Sequence, residues 1–576
     1  MMRMRTGLVA AALAVAALGT WAPAPRLLAQ GRTESGRSAV ADAAMRRDLE
    51  TVRTLLRDGV DVNAAQGDGM TALHWAATHG DAAMTEVLLY AGANVKATSR
   101  LGRYTPLHVA VQAGAAPVAL ALLTRGAEAS AATSTGATPL MFAAQTGNAE
   151  IVKALLDADA DVEATENANG QTALMFAAAA DRADVIGLLV GAGAKPDVAS
   201  KVVNVATMTS AMDFGGEPQA QGGAQAARPA APAAARVVDV AGSTRPFRYN
   251  ELIGAQGGLS ALHYAARQGG FAAARALVEH GANVNRKSPG DGTTPLLMAT
   301  LNGHFDMAKY FLEHGADPNI VSQAGAGALY AALNVQWAPK AAYPQPRAYL
   351  QQRTSYLDLI TLLLDKGADP NARVNRKIWY SGYNFDQSGI DEVGATPFWR
   401  AAYASDLTAM RLLVARGADP NIPTIRPAER RRGLDGVGDA LDTSKLPPVP
   451  VGGPGVPPLL AVAGPGYGKG FAGNSHVFAP AGMMPALKYL VEELGADVNA
   501  ADYEGNTAVH NAASRGDLDM IKYLVSKGAV VTTVNRAGQT TVDLANGPVQ
   551  RVQPYPETIR FLESLGATNN HKCVSC

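Results

Sequence analysis

A four-residue pattern recurs at a nearly fixed spacing and constrains the fold more than any other feature of the sequence. Thr71-Ala72-Leu73-His74 returns 34 residues later as Thr105-Pro106-Leu107-His108, and again at 138–141 and 172–175. Such a period indicates a stacked array of one supersecondary unit. Later copies of the start are at Ser260, Thr294, Gly327, Thr396, Pro457, Thr507 and Thr540.

A second signal, Gly-Ala-Asp-x-Asn or a variant of it, closes the units. A variant at Gly59 belongs to a first unit that lacks the usual start. Start and end signals together predict twelve units. Clear copies of the end signal begin at Gly92, Gly281, Gly315, Gly367, Gly417 and Gly495.

Each unit is predicted to contain two short helices. The Thr hydroxyl at the start is a good N-cap, and Pro106 suits a first turn, where its missing N–H costs nothing. Gly80 separates the two helices, and Gly92 suits the left-handed position that ends the second one. One such unit cannot bury its apolar face alone, so stability is expected to come from stacking.

These motifs resemble the ankyrin repeat family over about two-thirds of the chain that follows residue 29. The resemblance implies an all-α solenoid with β-turn tips that binds proteins along a concave face. It also implies that the motif histidines bond adjacent turns to each other. Metal ligation is the alternative for them, but one histidine per unit leaves them too far apart to share an ion. These histidines are His74, His108, His263 and His510.

Net charge and cysteine content exclude several functional classes. The chain has 50 basic and 50 acidic side chains, so it lacks the long-range attraction that non-specific nucleic-acid binding requires. Its two cysteines, Cys573 and Cys576, lie at the end of the sequence. The preceding residues must therefore fold without disulfides or thiolate metal sites.

The N-terminal sequence has the pattern of a secretory signal. Two arginines precede a run of Leu, Val and Ala at 7–19, which is too short to span a membrane. We expect cleavage after Ala29 and export to the periplasm or the extracellular space, with no membrane span in the mature chain. An uncleaved N-terminal anchor is the alternative.

The register of the repeats divides the rest of the chain. It predicts a first block at 30–199, an Ala-, Pro- and Gly-rich disordered linker at 200–257, a second block at 258–568 and a flexible tail at 569–576. Whether the two blocks stack on each other stays open at this stage. Four shorter insertions lie in the second block, at 335–352, 374–393, 423–455 and 464–482.

The predicted partner-binding residues are variable positions on the turns and first helices. Aromatic side chains concentrated in two of the insertions add possible anchors, because aromatics supply large contact areas. The alternative is that these aromatics pack against the solenoid. The candidates are Asp68, Met70, Thr78, His79, Arg100, Arg103, Gln145, Arg267, Gln268, Asn302, Trp337, Trp379, Tyr380, Tyr383, Tyr503, Glu504 and Arg515.

Motifs for chemistry are weak. The glycine-rich run 464–470 lacks the first Gly and the Ser or Thr of a phosphate loop, since Ala463 and Gly470 occupy those positions. The basic run 430–432 lies in a Pro-rich insertion and is read as a solvated loop. No catalytic constellation is evident, so we expect neither an enzyme nor a resident cofactor.

The Cys573-Val574-Ser575-Cys576 tail leaves one alternative open. Cys-x-x-Cys followed by His is the haem c attachment motif, but this sequence stops before that histidine. The sequence as it stands permits a terminal disulfide or a tail with three potential zinc ligands, counting His571. Haem attachment at Cys573 and Cys576 is expected only if the chain continues with His.

The predicted function is therefore that of a monomeric, non-enzymatic scaffold that binds a protein partner. Two alternatives remain: a docking arm of a haem-containing electron-transfer protein, and a binder of cell-envelope glycans or peptides through the aromatic insertions. The sequence does not identify the partner, because fold does not fix function.

Overall fold

A computed structural model describes most of the chain. The described residues are 38–207, 240–243, 245, 247–338, 347–376, 378, 390, 392–428, 444, 446–464, 477–547 and 553–573. Within them, no helix is both long enough and apolar enough to cross a membrane.

The described residues form twelve helix pairs, each an inner helix followed by an outer helix. The pairs, called units 1 to 12, confirm the predicted all-α solenoid. Their bounds are Ala39–Met45 and Leu49–Arg57, Ala72–His79 and Ala82–Tyr90, Pro106–Gln112 and Ala116–Thr124, Pro139–Thr146 and Ala149–Asp157, Ala173–Ala179 and Ala183–Gly191, Ala261–Gln268 and Phe271–Glu279, Pro295–Leu301 and Phe305–Glu313, Ala328–Gln336 and Tyr356–Asp365, Pro397–Tyr403 and Leu407–Ala415, Pro458–Val462 and Met483–Lys488, Ala508–Ser514 and Leu518–Ser526, and Thr541–Ala545 and Pro556–Ser564. A π-helical turn, Tyr489–Glu493, continues the outer helix of unit 10.

Local sequence explains where these helices begin and end. Thr105 caps the inner helix of unit 3, and Pro106 occupies its first turn. Gly80 ends the inner helix of unit 2 with a φ of 63°, a left-handed conformation that favours glycine. Asp81 then caps the outer helix by accepting a hydrogen bond from the Met84 N–H at 2.9 Å.

Helices this short are marginal in isolation, so packing between units must stabilise them. The buried core runs through all twelve units. Ala76 and Ala77 are fully buried on one inner helix, and Ala143 and Ala144 on another. Leucines such as Leu88 and Leu122 fill the space toward the outer helices, and each buried aliphatic side chain contributes roughly 1.5–3 kcal/mol.

Each loop that joins an outer helix to the next inner helix has two parts. The first part, directly after the outer helix, is here called the outward turn. The second part is a hairpin closed by a backbone hydrogen bond, here called a finger, and neighbouring fingers are linked to one another by further backbone hydrogen bonds. The Arg100 N–H donates to the Asp68 carbonyl at 2.7 Å, and the Ser134 N–H donates to the Gly102 carbonyl at 2.8 Å. The Lys201 N–H likewise donates to the Asn169 carbonyl at 2.7 Å. The fingers of units 2 to 6 therefore form a connected edge.

Units 5 and 6 stack directly on each other although 200–257 separates them in sequence. Their inner helices are in contact, and so are their outer helices. The Asp181 carboxylate of unit 5 accepts a hydrogen bond from the Ala273 N–H of unit 6 at 2.7 Å. Asp197 accepts one from the Asn283 N–H at 3.1 Å. The described array thus continues past this insertion.

The described ends of that insertion are structured, in contrast to the disorder predicted for 200–257 as a whole. Strand β1 (Val202–Asn204) pairs antiparallel with strand β2 (Ala255–Gly257), with Val203 opposite Gln256. A short helix, Tyr249–Ile253, precedes β2. The paired ends lie outside the Ala- and Pro-rich part of the insertion, and the stretch 208–239 lies outside the described residues.

The other insertions leave the array from two kinds of loop. Residues 335–352 and 464–482 lie between the two helices of units 8 and 10, whereas 374–393 and 423–455 lie in fingers. The finger bases are closed by backbone bonds, such as that from the Thr424 N–H to the Val456 carbonyl at 3.1 Å. Much of each insertion lies outside the described residues.

Candidate partner-binding face

The fingers and inner helices meet on one side of the array, here called the inner face. The Trp75 indole N–H on the inner helix of unit 2 donates to the Gln66 side-chain oxygen in the preceding finger at 2.7 Å. In units 3 and 4, the Tyr104 ring of a finger lies 6.1 Å from the Phe142 ring of an inner helix, measured between centroids. Side chains from both elements therefore share one surface.

Many of the sequence-predicted binding residues are exposed on this face. Asp68, Arg100 and Arg103 lie on adjacent fingers, where the backbone bond between Arg100 and Asp68 brings the first two together. The other exposed candidates lie in or near the last turns of inner helices in four different units. These are Thr78, Gln145, Arg267, Gln268 and Asn302.

His79, Met70 and Arg515 are less accessible than the sequence suggested. His79 is partly buried, with its Nε2 3.1 Å from the Met45 carbonyl oxygen, and Met70 is also partly buried. The Arg515 side chain is only 7% exposed and bonds Asp517 at 3.0 Å. Proposing Arg515 as a contact residue was therefore wrong, because its guanidinium is engaged within the solenoid.

Tyr503 and Glu504 are partly buried on the finger between units 10 and 11. The Glu504 carboxylate accepts a hydrogen bond from the Asn506 amide at 3.1 Å, and the Arg426 guanidinium lies 5.9 Å from the Tyr503 ring centroid. Tyr503 thus contacts the neighbouring finger, and the Glu504 carboxylate stabilises its own finger. Their availability to a partner is smaller than that of Arg100 or Arg103.

The sequence analysis missed an apolar row on the inner face. One inner-helix position, immediately after the motif histidine position, carries a large apolar residue in each of units 2 to 7. All but Tyr264 are partly exposed. The signal was present, because this position recurs with the same period as the start motif. These residues, here called the apolar stripe, are Trp75, Val109, Phe142, Phe176, Tyr264 and Met298.

Ring contacts hold the stripe in place. Phe142 lies 6.0 Å from the His108 ring in an edge-on arrangement, and Trp75 stacks with His79 at the same centroid distance. The Arg267 guanidinium lies 4.9 Å from the Tyr264 ring centroid. Aromatic rings fixed in this way offer contact area at a small cost in conformational entropy.

Three of the motif histidines, His74, His108 and His263, are structural. The Thr71 N–H donates to His74 Nδ1 at 3.2 Å, which leaves the ring proton on Nε2, 2.9 Å from the Tyr104 carbonyl oxygen of the next unit. His108 and His263 make the corresponding bonds to Ala137 and Thr293. Burial lowers the pKa of the His108 and His263 rings to about 4. The neutral ring therefore joins adjacent units at ordinary pH.

Unit 9 replaces the motif histidine with tryptophan. The Trp399 indole N–H donates to the Val456 carbonyl at 2.8 Å, so it makes the same connection to the next unit. Beside it, Arg400 is 1% exposed and occupies the position of the apolar stripe. Its guanidinium donates to the Asn334 side-chain oxygen at 2.6 Å and to the Trp337 carbonyl at 2.7 Å. The stripe therefore does not extend through unit 9.

Trp337, one proposed aromatic anchor, packs within the array. Its indole N–H donates to the Asp406 carboxylate at 2.9 Å, and its ring meets the Tyr356 ring edge-on at 6.1 Å. These contacts favour the interpretation that the insertion at 335–352 is fastened to the solenoid. The other proposed anchors, Trp379, Tyr380 and Tyr383, lie outside the described residues.

The alternatives of haem and metal binding concern the C-terminal tail and the possible metal ligands within the described residues. Cys573 is disulfide-bonded. Cys576 lies outside the described residues. A search of the described part of the chain finds no group of three or more His, Cys, Asp or Glu side chains placed to hold a metal ion.

Family comparisons agree with this geometry. Models described as ankyrin repeats match residues 15–99, 40–133 and 107–200, and further ones match 262–312, 475–525 and 393–425. Together they cover more than half of the chain. The chain belongs to the ankyrin repeat family. Ankyrin repeats form protein-interaction scaffolds, which is the class of function that the fold and these matches support.

Curated relatives match short stretches of this ankyrin repeat protein. Ankyrin repeat and LEM domain-containing protein 1 homolog of Caenorhabditis elegans is 41% identical over 64 residues, which are 11% of this chain and 9% of the relative. Protein phosphatase 1 regulatory subunit 12A of Mus musculus is 41% identical over 71 residues, 12% of this chain and 7% of the relative. Ankyrin repeat domain-containing protein 37 of Mus musculus is 35% identical over 91 residues, 16% of this chain and 54% of the relative. The chain thus spans less than a tenth of the first two relatives and about half of the third.

Proposed function

We propose that this ankyrin repeat protein is a non-enzymatic scaffold that binds a protein partner along the inner face of units 2 to 7. The apolar stripe is the observation that supports this proposal. It places a large apolar side chain on the inner face of six successive units, five of them partly exposed. Partly exposed apolar rows of this kind mark interaction surfaces.

The fingers supply the polar part of the proposed interface. Arg100, Arg103 and Asp68 are exposed beside the stripe, and the backbone bonds between fingers hold them in fixed register. An apolar centre bordered by polar groups is the usual anatomy of a protein interface. A prearranged surface also lowers the entropy lost on binding.

Affinity capture with matched variants tests this function. The mature chain, Phe142→Ser/Phe176→Ser, and Lys153→Ala on an outer helix would each be immobilised and exposed to extract of the native cell. We expect a protein partner that is retained by the mature chain and by Lys153→Ala and lost with the double variant. Thermal melting of each variant checks that the array stays folded.

Two results would overturn the scaffold function. One is that the mature chain captures no protein above the background of an unrelated ankyrin array. The other is that folded Phe142→Ser/Phe176→Ser retains the partner as well as the unaltered chain does. In either case the inner face of units 2 to 7 would not be the binding surface.

We propose further that the scaffold acts outside the cytoplasm. The charge and length pattern of residues 1–29 supports this location. N-terminal sequencing of the protein recovered from periplasmic and cytoplasmic fractions tests it. A mature terminus at Gln30 in the exported fraction is expected, whereas recovery of the full-length chain only in the cytoplasm would contradict export.

A further inference from the structure

The inner helices of units 2 to 5 have an unusual composition. They contain no Asp, Glu, Lys or Arg, although residues 38–201 contain 18 acidic and 12 basic side chains. The charged side chains of this region therefore lie on the inner helix of unit 1, which carries Asp42, and on the outer helices, the inter-helix loops, the outward turns and the fingers. The floor of the inner face in these units is formed by neutral side chains.

The part of the apolar stripe in these four units consists of Trp75, Val109, Phe142 and Phe176, all partly exposed. Its ends are marked by a change in chemistry. Asp42 holds the equivalent position in unit 1 and accepts a hydrogen bond from the Gln66 amide at 2.6 Å. In unit 6 the equivalent Tyr264 is 5% exposed. Units 2 to 5 thus form one bounded apolar groove.

Basic side chains predominate on the fingers that border this groove. Among the described residues of these fingers, Arg100, Arg103 and Lys201 are exposed, and Asp68 is the exposed carboxylate. Glu166, on the finger that leads into unit 5, is buried, where it accepts hydrogen bonds from the N–H groups of three residues in its own loop. The finger side of the groove is therefore positive, although 38–201 as a whole is acidic.

The spacing of the units sets the repeat of a ligand that runs along the groove. Packed helices lie about 8–10 Å apart, so one stripe residue follows another at about that distance. An α-helix advances about 10.5 Å in seven residues and keeps one face toward the groove over that length. Four units then require about 20 residues of helix.

We propose that units 2 to 5 bind an acidic amphipathic helix of the partner, with apolar residues at heptad spacing against the stripe and carboxylates toward Arg100, Arg103 and Lys201. This assignment rests on the proposed scaffold function and specifies its ligand. The uncharged floor contacts the apolar side of the helix. The basic fingers select its charge, since complementary charge mainly determines specificity and association rate.

Three synthetic peptides of equal length test the assignment. One carries Leu at heptad spacing with Glu on the flanks, the second has Lys in place of Glu, and the third has the composition of the first in scrambled order. Fluorescence anisotropy measures their binding to the full chain at low and moderate salt. We expect the Glu peptide to bind at least about tenfold more tightly than either of the others, and more weakly as salt rises.

Variants locate the binding. Arg100→Glu/Arg103→Glu, which changes two exposed side chains, should lower the affinity for the Glu peptide by about tenfold or more. The ratio of the affinities for the Glu and Lys peptides should therefore fall. Phe142→Ala should lower the affinity for both the Glu and the Lys peptide. The Lys96 side chain pairs with Glu128 on the outward turns, so Lys96→Ala should leave the affinity for both peptides unchanged. Circular dichroism confirms that each variant is folded.

Equal binding of the Glu and Lys peptides, or of the scrambled peptide, would overturn the assignment, as would the absence of binding by all three. These failures are distinct from failure of the scaffold function. A captured partner that depends on Phe142 and Phe176 would still establish the scaffold if the acidic helix fails. If the unaltered chain captures no protein partner but binds the Glu peptide as expected, the scaffold function fails and the helix preference of the groove stands.

Discussion

The carboxylate of Asp406 accepts a hydrogen bond from the indole N–H of Trp337, 2.9 Å away and 69 residues earlier in the chain. The same carboxylate accepts the Tyr356 hydroxyl at 2.7 Å and the Ala409 N–H at 3.0 Å. Asp406 is 3% exposed. One buried side chain therefore joins the insertion of unit 8, the outer helix of unit 8 and the outer helix of unit 9.

Replacing Asp406 by Ala should destabilise the array by about 2–3 kcal/mol, because it removes a helix cap and takes the acceptor from two partly buried donors, the Trp337 indole and the Tyr356 hydroxyl. Urea unfolding measures the change. Asp81→Ala is the matched control. The Asp81 carboxylate also caps an outer helix, by accepting a hydrogen bond from the Met84 N–H, but among the described residues it bonds no indole or hydroxyl group. The control should cost about 1 kcal/mol. Equal losses in the two variants would contradict the joining role of Asp406.

Stability should fall as the pH drops from about 6.5 to 4. Burial lowers the pKa of His263 from 6.5 to about 4, so the unfolded chain binds more protons in that window. Its contribution is fully present above the unfolded pKa and is lost as the pH falls through the folded one. The loss is about 1–3 kcal/mol per histidine.

Urea midpoints at pH 7.5, 6 and 4.5 measure this dependence. His263→Gln should be less stable at pH 7.5 and should lose less stability on acidification. An acid-induced decline of the same size in this variant would show that the ring of His263 does not contribute to it.

Trp399→Phe should cost about 1 kcal/mol, because the buried Val456 carbonyl loses one of its two donors, the indole N–H that joins units 9 and 10, and keeps the Thr424 N–H. Thermal melting provides the measurement. Trp75→Phe removes an indole bond to the partly exposed Gln66 and should cost less, since water can replace that bond. The prediction fails if the two substitutions have the same effect.

Asp159→Gly should stabilise the protein by about 0.5–1 kcal/mol. Asp159 has a φ of 56°, at the turn position where other units have glycines such as Gly92 and Gly126. A left-handed conformation is strained for Asp and relaxed for Gly. Asp157→Gly, at the end of the preceding helix, should instead destabilise it by about as much. Melting temperatures that move in the same direction would refute this assignment of strain.

Asp181 tests the contact between units 5 and 6. The outer helix of unit 6 begins after Gly270, which has no side chain to cap it, and Asp181 of unit 5 bonds its Ala273 N–H instead. Asp181→Ala should cost about 1–2 kcal/mol, whereas Asp181→Asn retains an acceptor oxygen and should cost less. If Ala and Asn reduce the urea midpoint equally, the oxygen does not supply the cap.

The repeat register could be read from the sequence because each unit repeats its own local signals. Thr105, Pro106 and Gly80 determine starts and stops through short-range chemistry, and this chemistry is the same in the folded chain. The stacking of units 5 and 6 was not determined by such signals. It depends on bonds such as Asp181 to Ala273, 92 residues apart.

The candidate site was only partly predictable for the same reason. Exposed finger residues such as Arg103 could be proposed from turn position alone. The burial of Arg515, whose guanidinium contacts Met483 of unit 10, and the bond from Arg400 to Asn334, 66 residues away, depend on packing between units. The apolar stripe was overlooked because its residues differ in identity and share only their position.

Because units 5 and 6 stack directly on each other, the long insertion between them is a suitable site for inserting another domain. The described segments on either side of 208–239 end at Thr207, shortly after strand β1, and resume at Val240, before the helix Tyr249–Ile253, while the helices of units 5 and 6 are in contact with each other. A fluorescent domain could be inserted between Thr207 and Val240, and the stacking of units 5 and 6 would be preserved. Such a chimera would report on the scaffold from one defined place along its length.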